Sequence, residues 1–273
     1  MYTELGGVDL TDRNGEPFLV HDWWYLILLG VALWAAAWVL IFYTLKPWLY
    51  DRLGDGALRG LTWVGLRHYL HLVHRVKWVG FDKMPEEAKA GGHGPYIVVS
   101  NHTAGIDPLL IQAGLRRHLR WLMAKQMFVP ILGFLWKWER MIQVSYGAAD
   151  DAMALREAAR HLRDGGLLGI FAEGGIARPP QELRPFMGGV GLLSKIGRAP
   201  VLLFWIHGTH YAKTPWGSIF TPSRSVVEYI GVYDFSKEDD PAAAVENLRE
   251  AIHQRSGWPL NDVPLIEDFP AEE

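Results

Sequence analysis

The sequence predicts an α/β domain with a largely parallel sheet flanked by helices, preceded by one transmembrane helix and an interfacial amphipathic helix. Residues 23–43, WWYLILLGVALWAAAWVLIFY, run without a charge. Beyond residue 95, short apolar runs alternate with helix-like segments, the pattern of strands joined by crossover helices. Polar residues able to do chemistry then concentrate directly behind two of those runs.

Composition bounds the answer first. The 273 residues suffice for one large domain or two small ones with a sizeable core. A net charge of −3 offers no global basic field, so nucleic acid is not an expected partner. The absence of cysteine excludes disulfides, thiolate nucleophiles and cysteine-ligated metal sites. With 49% hydrophobic and 21% charged residues the chain is not disordered, and 13 tryptophans point to membrane interfaces.

The N-terminal third predicts membrane attachment. As a helix, residues 23–43 would reach roughly 31 Å, against about 30 Å of bilayer hydrocarbon. Trp23, Trp24, Tyr25, Tyr43 and Trp48 would form the aromatic ends of a transmembrane helix over 23–45. Residues 1–22 hold five acids and one basic residue, Arg13, whereas Lys46, Arg52, Arg59, Arg67, Arg75 and Lys77 follow the span. The positive-inside bias therefore predicts an extracytoplasmic tail over 1–22, a single pass through the cell (inner) membrane and a cytoplasmic remainder. Residues 46–79 predict an interfacial amphipathic region, with Leu58, Leu61, Gly65, Tyr69, Leu72 and Val76 at roughly helical spacing. His68, His71 and His74 are read as part of its polar strip rather than a metal site, since no carboxylate joins them.

No linker divides residues 80–262, which predict the cytoplasmic domain; residues 263–273 form an acidic tail. Strands are expected at 96–99, 167–171, 200–206 and 226–232, and helices at 108–117, 151–163, 190–196 and 241–253. In such sheets ligands gather at the carboxyl ends of strands. The first run is followed there by Ser100-Asn101-His102-Thr103-Ala104-Gly105-Ile106-Asp107, the second by Ala172-Glu173-Gly174-Gly175-Ile176-Ala177-Arg178. A histidine at a strand end can take a proton from a hydroxyl, and a carboxylate on its other ring nitrogen fixes tautomer and orientation. Asp107 stands five residues on, before Pro108, where it also suits the start of a helix. Gly174 and Gly175 permit close approach of backbone to a ligand, and Arg178 is the nearest fixed positive charge.

Taken together these loops resemble the glycerolipid acyltransferase family. Asn101, His102 and Asp107 fill its N-H-x4-D motif, and FAEGGIAR at 171–178 is similar to its F-P-E-G motif. Ala124-Lys125, Pro130 and Gly133 resemble the stretch before its second motif, and Ala199-Pro200-Val201 to Ile206 with Gly208 its fourth; the resemblance spans roughly residues 76–210. It implies transfer of a fatty acyl group from acyl-CoA or acyl carrier protein, as co-substrate, to a lipid hydroxyl, most readily that of a lysophospholipid such as 1-acylglycerol-3-phosphate. By this carry-over His102 is the general base and Asp107 orients it. Asn101, Lys125, Glu173, Gly174, Gly175 and Arg178 would contact substrate, and no metal or other cofactor is required.

The sequence departs from the family at Tyr146, Ile176 and Met187, where basic residues are usual, and at Ala172 and Leu203, which replace prolines. Arg140 and Arg178 stand near enough in sequence to substitute. The Phe128–Trp138 stretch supplies apolar surface for an acyl tunnel or for lipid contact. The competing expectation is a non-catalytic or accessory subunit, with this fold, of a larger membrane protein complex. A lipid hydrolase is disfavoured because no G-x-S-x-G elbow occurs, and a dinucleotide enzyme because GGVG at 188–191 lacks the third glycine.

Overall fold

The structure, a computed structural model, describes residues 23–40, 43, 56–89, 92–145, 148–212 and 214–265. The chain divides between residues 49 and 50 into two compact units. In the first, α1 covers Trp23–Leu40, 18 residues. Successive helical residues lie 100° apart, and Ile27, Leu28, Leu29 and Val31 are each more than half exposed, so α1 is apolar on every side. Among the described residues no helix is long and apolar enough to cross a membrane. At 1.5 Å per residue α1 reaches about 27 Å, short of the ~30 Å hydrocarbon layer. Its first turn is taken up by Trp23, Trp24 and Tyr25. This corrects the transmembrane helix expected over 23–45; apart from Tyr43, the rest of that range lies outside the described residues, as does the tail over 1–22.

The second unit is the α/β domain. Its strands are β1 (Lys77–Val79), β2 (Tyr96–Ser100), β3 (Leu119–Ala124), β4 (Ile142–Val144), β5 (Leu167–Phe171), β6 (Val201–His207) and β7 (Val226–Tyr233). Among the described residues they form one sheet in the order β1-β7-β6-β2-β5-β3-β4. The run β6-β2-β5-β3-β4 is parallel throughout, β7 lies antiparallel to β6, and β1 is parallel to β7. Every residue of β2 is buried. Covered on both faces, it reads as a continuous apolar run rather than an alternating one. Complete burial of Ile97, Val98 and Val99 stabilises the sheet by roughly 1.5–3 kcal/mol each.

One face is covered by α5 (Ala148–Arg163), α6 (Gly189–Gly197), α8 (Pro241–Ala244) and α9 (Glu246–Ser256), around Leu162, Leu193, Leu203 and Ile252. The other carries α2 (Ala57–Val73) and α3 (Asp107–Gly114), around Leu70, Leu110, Ile111 and Phe204. Two short helices, α4 (Gly133–Trp138) and α7 (Gly217–Phe220), complete the domain. The helix expected at 108–117 stops at Gly114, where Leu115 turns to extended backbone, and Trp78 and Phe81 occupy the space a Cβ at Gly114 would need. Its last carbonyls are capped from outside: Trp78 Nε1 donates to Leu110 O, Arg67 to Ala113 O and Trp63 Nε1 to Leu115 O, each at 2.9 Å.

Those caps correct the reading of residues 46–79 as a separate interfacial segment. Within it, α2 is part of the domain and docks by an Arg–Trp stripe: Arg59 is buried against the Trp138 carbonyl, and Arg67 stacks over Trp78 at 4.1 Å. Leu58, Leu61 and Leu72 face outward at 67%, 56% and 80% exposure. The predicted leucine stripe is the face α2 keeps away from the core. His74, from the predicted polar strip, is buried, with its ring nitrogens on Ser223 Oγ and Ile219 O.

Helix α6 fits closely against the start of α8, since a Cβ at Gly191 would fall 1.7 Å from the Pro241 carbonyl oxygen. Gly191→Ala therefore forces the two helices apart, and we expect a loss of about 2 kcal/mol, read as a fall of roughly 4 °C or more in Tm. An unchanged melting curve would show that the contact yields freely.

Candidate active site

The loops after β2, β5 and β6 meet at the carboxyl edge of the parallel strands. Asn101, the first residue beyond β2, continues the sheet with its side chain. Its Nδ2 donates to Ile206 O and its Oδ1 accepts from Ile206 N, both at 2.8 Å. At 1% exposure this amide mimics one more rung of the β2–β6 ladder, so the expected substrate contact of Asn101 gives way to a structural clasp.

His102 follows and is held on all sides. Its backbone N–H donates to Glu173 Oε1 at 2.9 Å, and its carbonyl accepts from Ala177 N–H at 2.9 Å. Its ring Nδ1 lies 3.0 Å from Asp107 Oδ2, and its plane stacks on Phe171 with centroids 3.8 Å apart and a 10° tilt. Among the described residues Nε2 has no protein partner. A neutral histidine donating Nδ1–H to a carboxylate carries its free lone pair on Nε2.

Asp107 is completely buried at the first position of α3. Its Oδ2 also accepts from the amides of Thr103 at 2.6 Å and Ala104 at 2.8 Å, and Thr103 Oγ1 approaches Oδ1 at 3.3 Å. These bonds offset the desolvation of the carboxylate and fix it against the imidazole. The turn between the two residues needs Gly105, because a Cβ there would lie 2.3 Å from Pro215 O. Thr209 and Ser218 brace the loop from outside: Thr209 bonds Thr103, and Ser218 Oγ accepts from Ile106 N–H.

Glu173 is 2% exposed and accepts a second backbone bond, from Arg184 N–H to Oε2 at 3.1 Å. Burial pushes its carboxyl up to about 7, helped by the Asp107 charge, while the two amide bonds and Arg184 act in the opposite direction. Like Asn101, Glu173 is committed to the protein rather than presented to a substrate. Arg184 escaped the sequence reading altogether. Its guanidinium bonds the carbonyls of Arg178 and Val263, so a buried arginine ties the second loop to the C-terminal segment. That segment pairs with residue 183 through Leu260, so the boundary expected at 262–263 falls within a docked strap.

Arg178 points at the histidine loop, donating to Thr103 O at 3.1 Å and stacking over Tyr211 at 4.7 Å. Gly174 adopts φ +78°, the left-handed turn that sends the chain past His102, and Gly175 follows it. Lys125 is exposed directly after β3, at the same edge of the sheet. Arg140 precedes the amino end of β4, the opposite edge, and its carbonyl accepts from Arg120; it does not replace a missing basic residue here. Tyr146 lies outside the described residues, while Met187 is exposed just before α6.

The sequence profile of the acyltransferase family matches residues 75–205, the stretch from β1 through β6 that builds this edge. The match takes in just under half of the 273 residues. No curated protein matches the chain. Among solved structures the chain is similar to the crystal structure of the 1-acyl-sn-glycerophosphate (LPA) acyltransferase PlsC from Thermotoga maritima. The two share 20% identity with a TM-score of 0.55, over 84% of this chain and 95% of that one. At that identity the likeness establishes the fold, and the geometry of the site stands on this chain's own residues.

The Glu173 carboxyl gives a stability test. Its folded value stands above the ordinary 4.5, so the folded protein holds this proton more tightly than the unfolded chain. The resulting stabilisation is complete below about 4.5 and is lost as pH rises through about 7. Glu173→Gln removes that dependence. Relative to wild type, the variant's Tm should rise between roughly pH 5 and roughly pH 7.5, whatever the constant offset from its altered hydrogen bonds. A difference in Tm that stays flat across the window would contradict the assignment.

Proposed function

We propose that this acyltransferase domain moves a fatty acyl group from acyl-CoA or acyl carrier protein to the hydroxyl of a membrane lysophospholipid, of the 1-acylglycerol-3-phosphate type. The observation that carries this reading is the His102–Asp107 pair, with Nδ1 on the buried carboxylate and Nε2 unengaged. His102 acts as general base and Asp107 holds its tautomer. Nε2 takes the proton of the acceptor hydroxyl as its oxygen attacks the thioester carbonyl. The tetrahedral oxyanion then collapses, the C–S bond breaks, and the proton passes from Nε2 to the departing thiolate. The Gly174 amide donates to Phe171 O, so the oxyanion or the acceptor phosphate is left to the Gly175 amide and to the side chains of Lys125 and Arg178. The named activity of the Thermotoga maritima protein supports the same acceptor class.

Membrane association follows from the surface. The helix α1 is apolar on every side, and α2 turns Leu58, Leu61 and Leu72 outward. Ile131 and Phe134 at α4 and Phe220 at α7 are exposed at 82%, 72% and 77%. Those two helices pack on α2 through the Arg59–Trp138 and Tyr69–Ile219 hydrogen bonds. A lipid surface is the partner that this area and a lipid acceptor share.

Full-length protein in lipid vesicles, offered both donors with a panel of lysolipids, tests the reading. Wild type should form a diacyl product, and His102→Ala should lose about 100-fold or more of kcat, with Asp107→Asn falling nearly as far. Absence of transfer to every acceptor, with protein partners co-purifying in stoichiometric amounts, would instead establish an accessory subunit.

A further inference from the structure

The mechanism above gives no part to the row of aromatic rings beneath the base. His102 stacks on Phe171, and on its continuation Trp121 stands against Phe171 with centroids 4.8 Å apart and an 11° tilt. The row is written into the sheet register. Trp121 of β3 pairs directly with Gly169 of β5, Phe171 follows two residues later on the same face, and Phe171 pairs with Ser100, two residues before His102. Gly169 makes the row fit, since a Cβ there would fall 2.5 Å from Trp121 Cε3. Trp121 is 5% exposed and sits in the core shared with α3, so the far end of the row is immobile.

A hydrogen bond at Nδ1 fixes one edge of an imidazole but leaves the ring free to swing about that edge. A flat ring 3.8 Å below removes the swing. The π-face also lies against the ring while it holds the acceptor proton, where a cation and an aromatic face attract. We propose that Phe171 is a positioning residue for the base, with Trp121 as its support and Gly169 as the space that lets the support in. This inference rests on the acyl-transfer reading and adds to it a residue that touches no substrate.

The test uses full-length protein in lipid vesicles. Wild-type activity is measured first, because its absence would defeat the acyl-transfer reading and not this one. Phe171→Leu, which keeps an apolar side chain but removes the flat face, should lower kcat about 10- to 100-fold and leave the KM of both substrates within about twofold. Phe171→Tyr should restore most of the lost kcat. Gly169→Ala, which pushes on Trp121 from behind, should lower kcat several-fold without altering KM, and it decides the matter should Phe171→Leu fail to fold. Proton spectra of the histidine rings supply a readout independent of turnover: the His102 ring protons should sit upfield in wild type and lose that ring-current shift in Phe171→Leu. Retention of kcat in both Phe171→Leu and Gly169→Ala, a loss confined to KM, failure of Tyr to rescue, or unshifted ring protons in wild type would each overturn the proposal.

Discussion

Everything at this site depends on one buried carboxylate that reaches across two loops. Glu173 accepts a backbone amide from His102 with one oxygen and from Arg184 with the other. It thereby fixes the loop after β2 to the loop after β5, and both to the segment that docks residues 259–263. Burial opposes its charge, which is why the carboxyl is pushed up to about 7. Two backbone donors in a fixed geometry, and Arg184 nearby, make the position tolerable. Beside the clasp, the Ala177 amide and Arg178 also join the peptide that carries His102 to the second loop.

Sheet topology explains why such a clasp is required. A parallel sheet delivers the ends of β2, β5 and β6 to one edge, but it leaves each loop to find its own conformation. Here the loops are locked by side chains that imitate backbone: Asn101 extends the β2–β6 ladder, Asp107 gathers amides as a turn would, and Glu173 bridges. The polar residues of the two motifs divide accordingly. Asn101, Asp107 and Glu173 build the frame, while His102, with Lys125 and Arg178 at the rim, remains for chemistry.

Much of this was legible in the sequence, and what was not had physical reasons. Strands β2, β5 and β6 announced themselves because buried strands read as apolar runs, and β7, only partly buried, by its β-branched and aromatic residues. Strands β1 and β4, three residues each, are too short to show a period, and β3 hides an arginine at its second position. The pair His102–Asp107 was visible from spacing alone. The inward roles of Asn101 and Glu173 were not, since a motif gives residue types and only the fold shows which partners surround them. Helix α2 was misjudged for a related reason: its arginines find carbonyl partners at the end of α3 and at Trp138, so the Arg–Trp stripe faces the domain with Leu66 and Leu70 while Leu58, Leu61 and Leu72 turn outward. Arg184 carried no signal at all, because nothing in its neighbourhood of sequence indicates that Glu173 and the C-terminal strap would meet there.

The central claim is that the fold presents His102 as a base with Nδ1 protonated toward Asp107 and Nε2 bare. Selective ¹⁵N labelling of the histidine rings, with His102 assigned by its absence from the His102→Ala spectrum, measures this directly at mildly alkaline pH. The account predicts a protonated Nδ1 and an unprotonated Nε2, with that preference abolished in Asp107→Asn. A neutral His102 carrying its proton on Nε2 would leave no lone pair facing the acceptor and would contradict it.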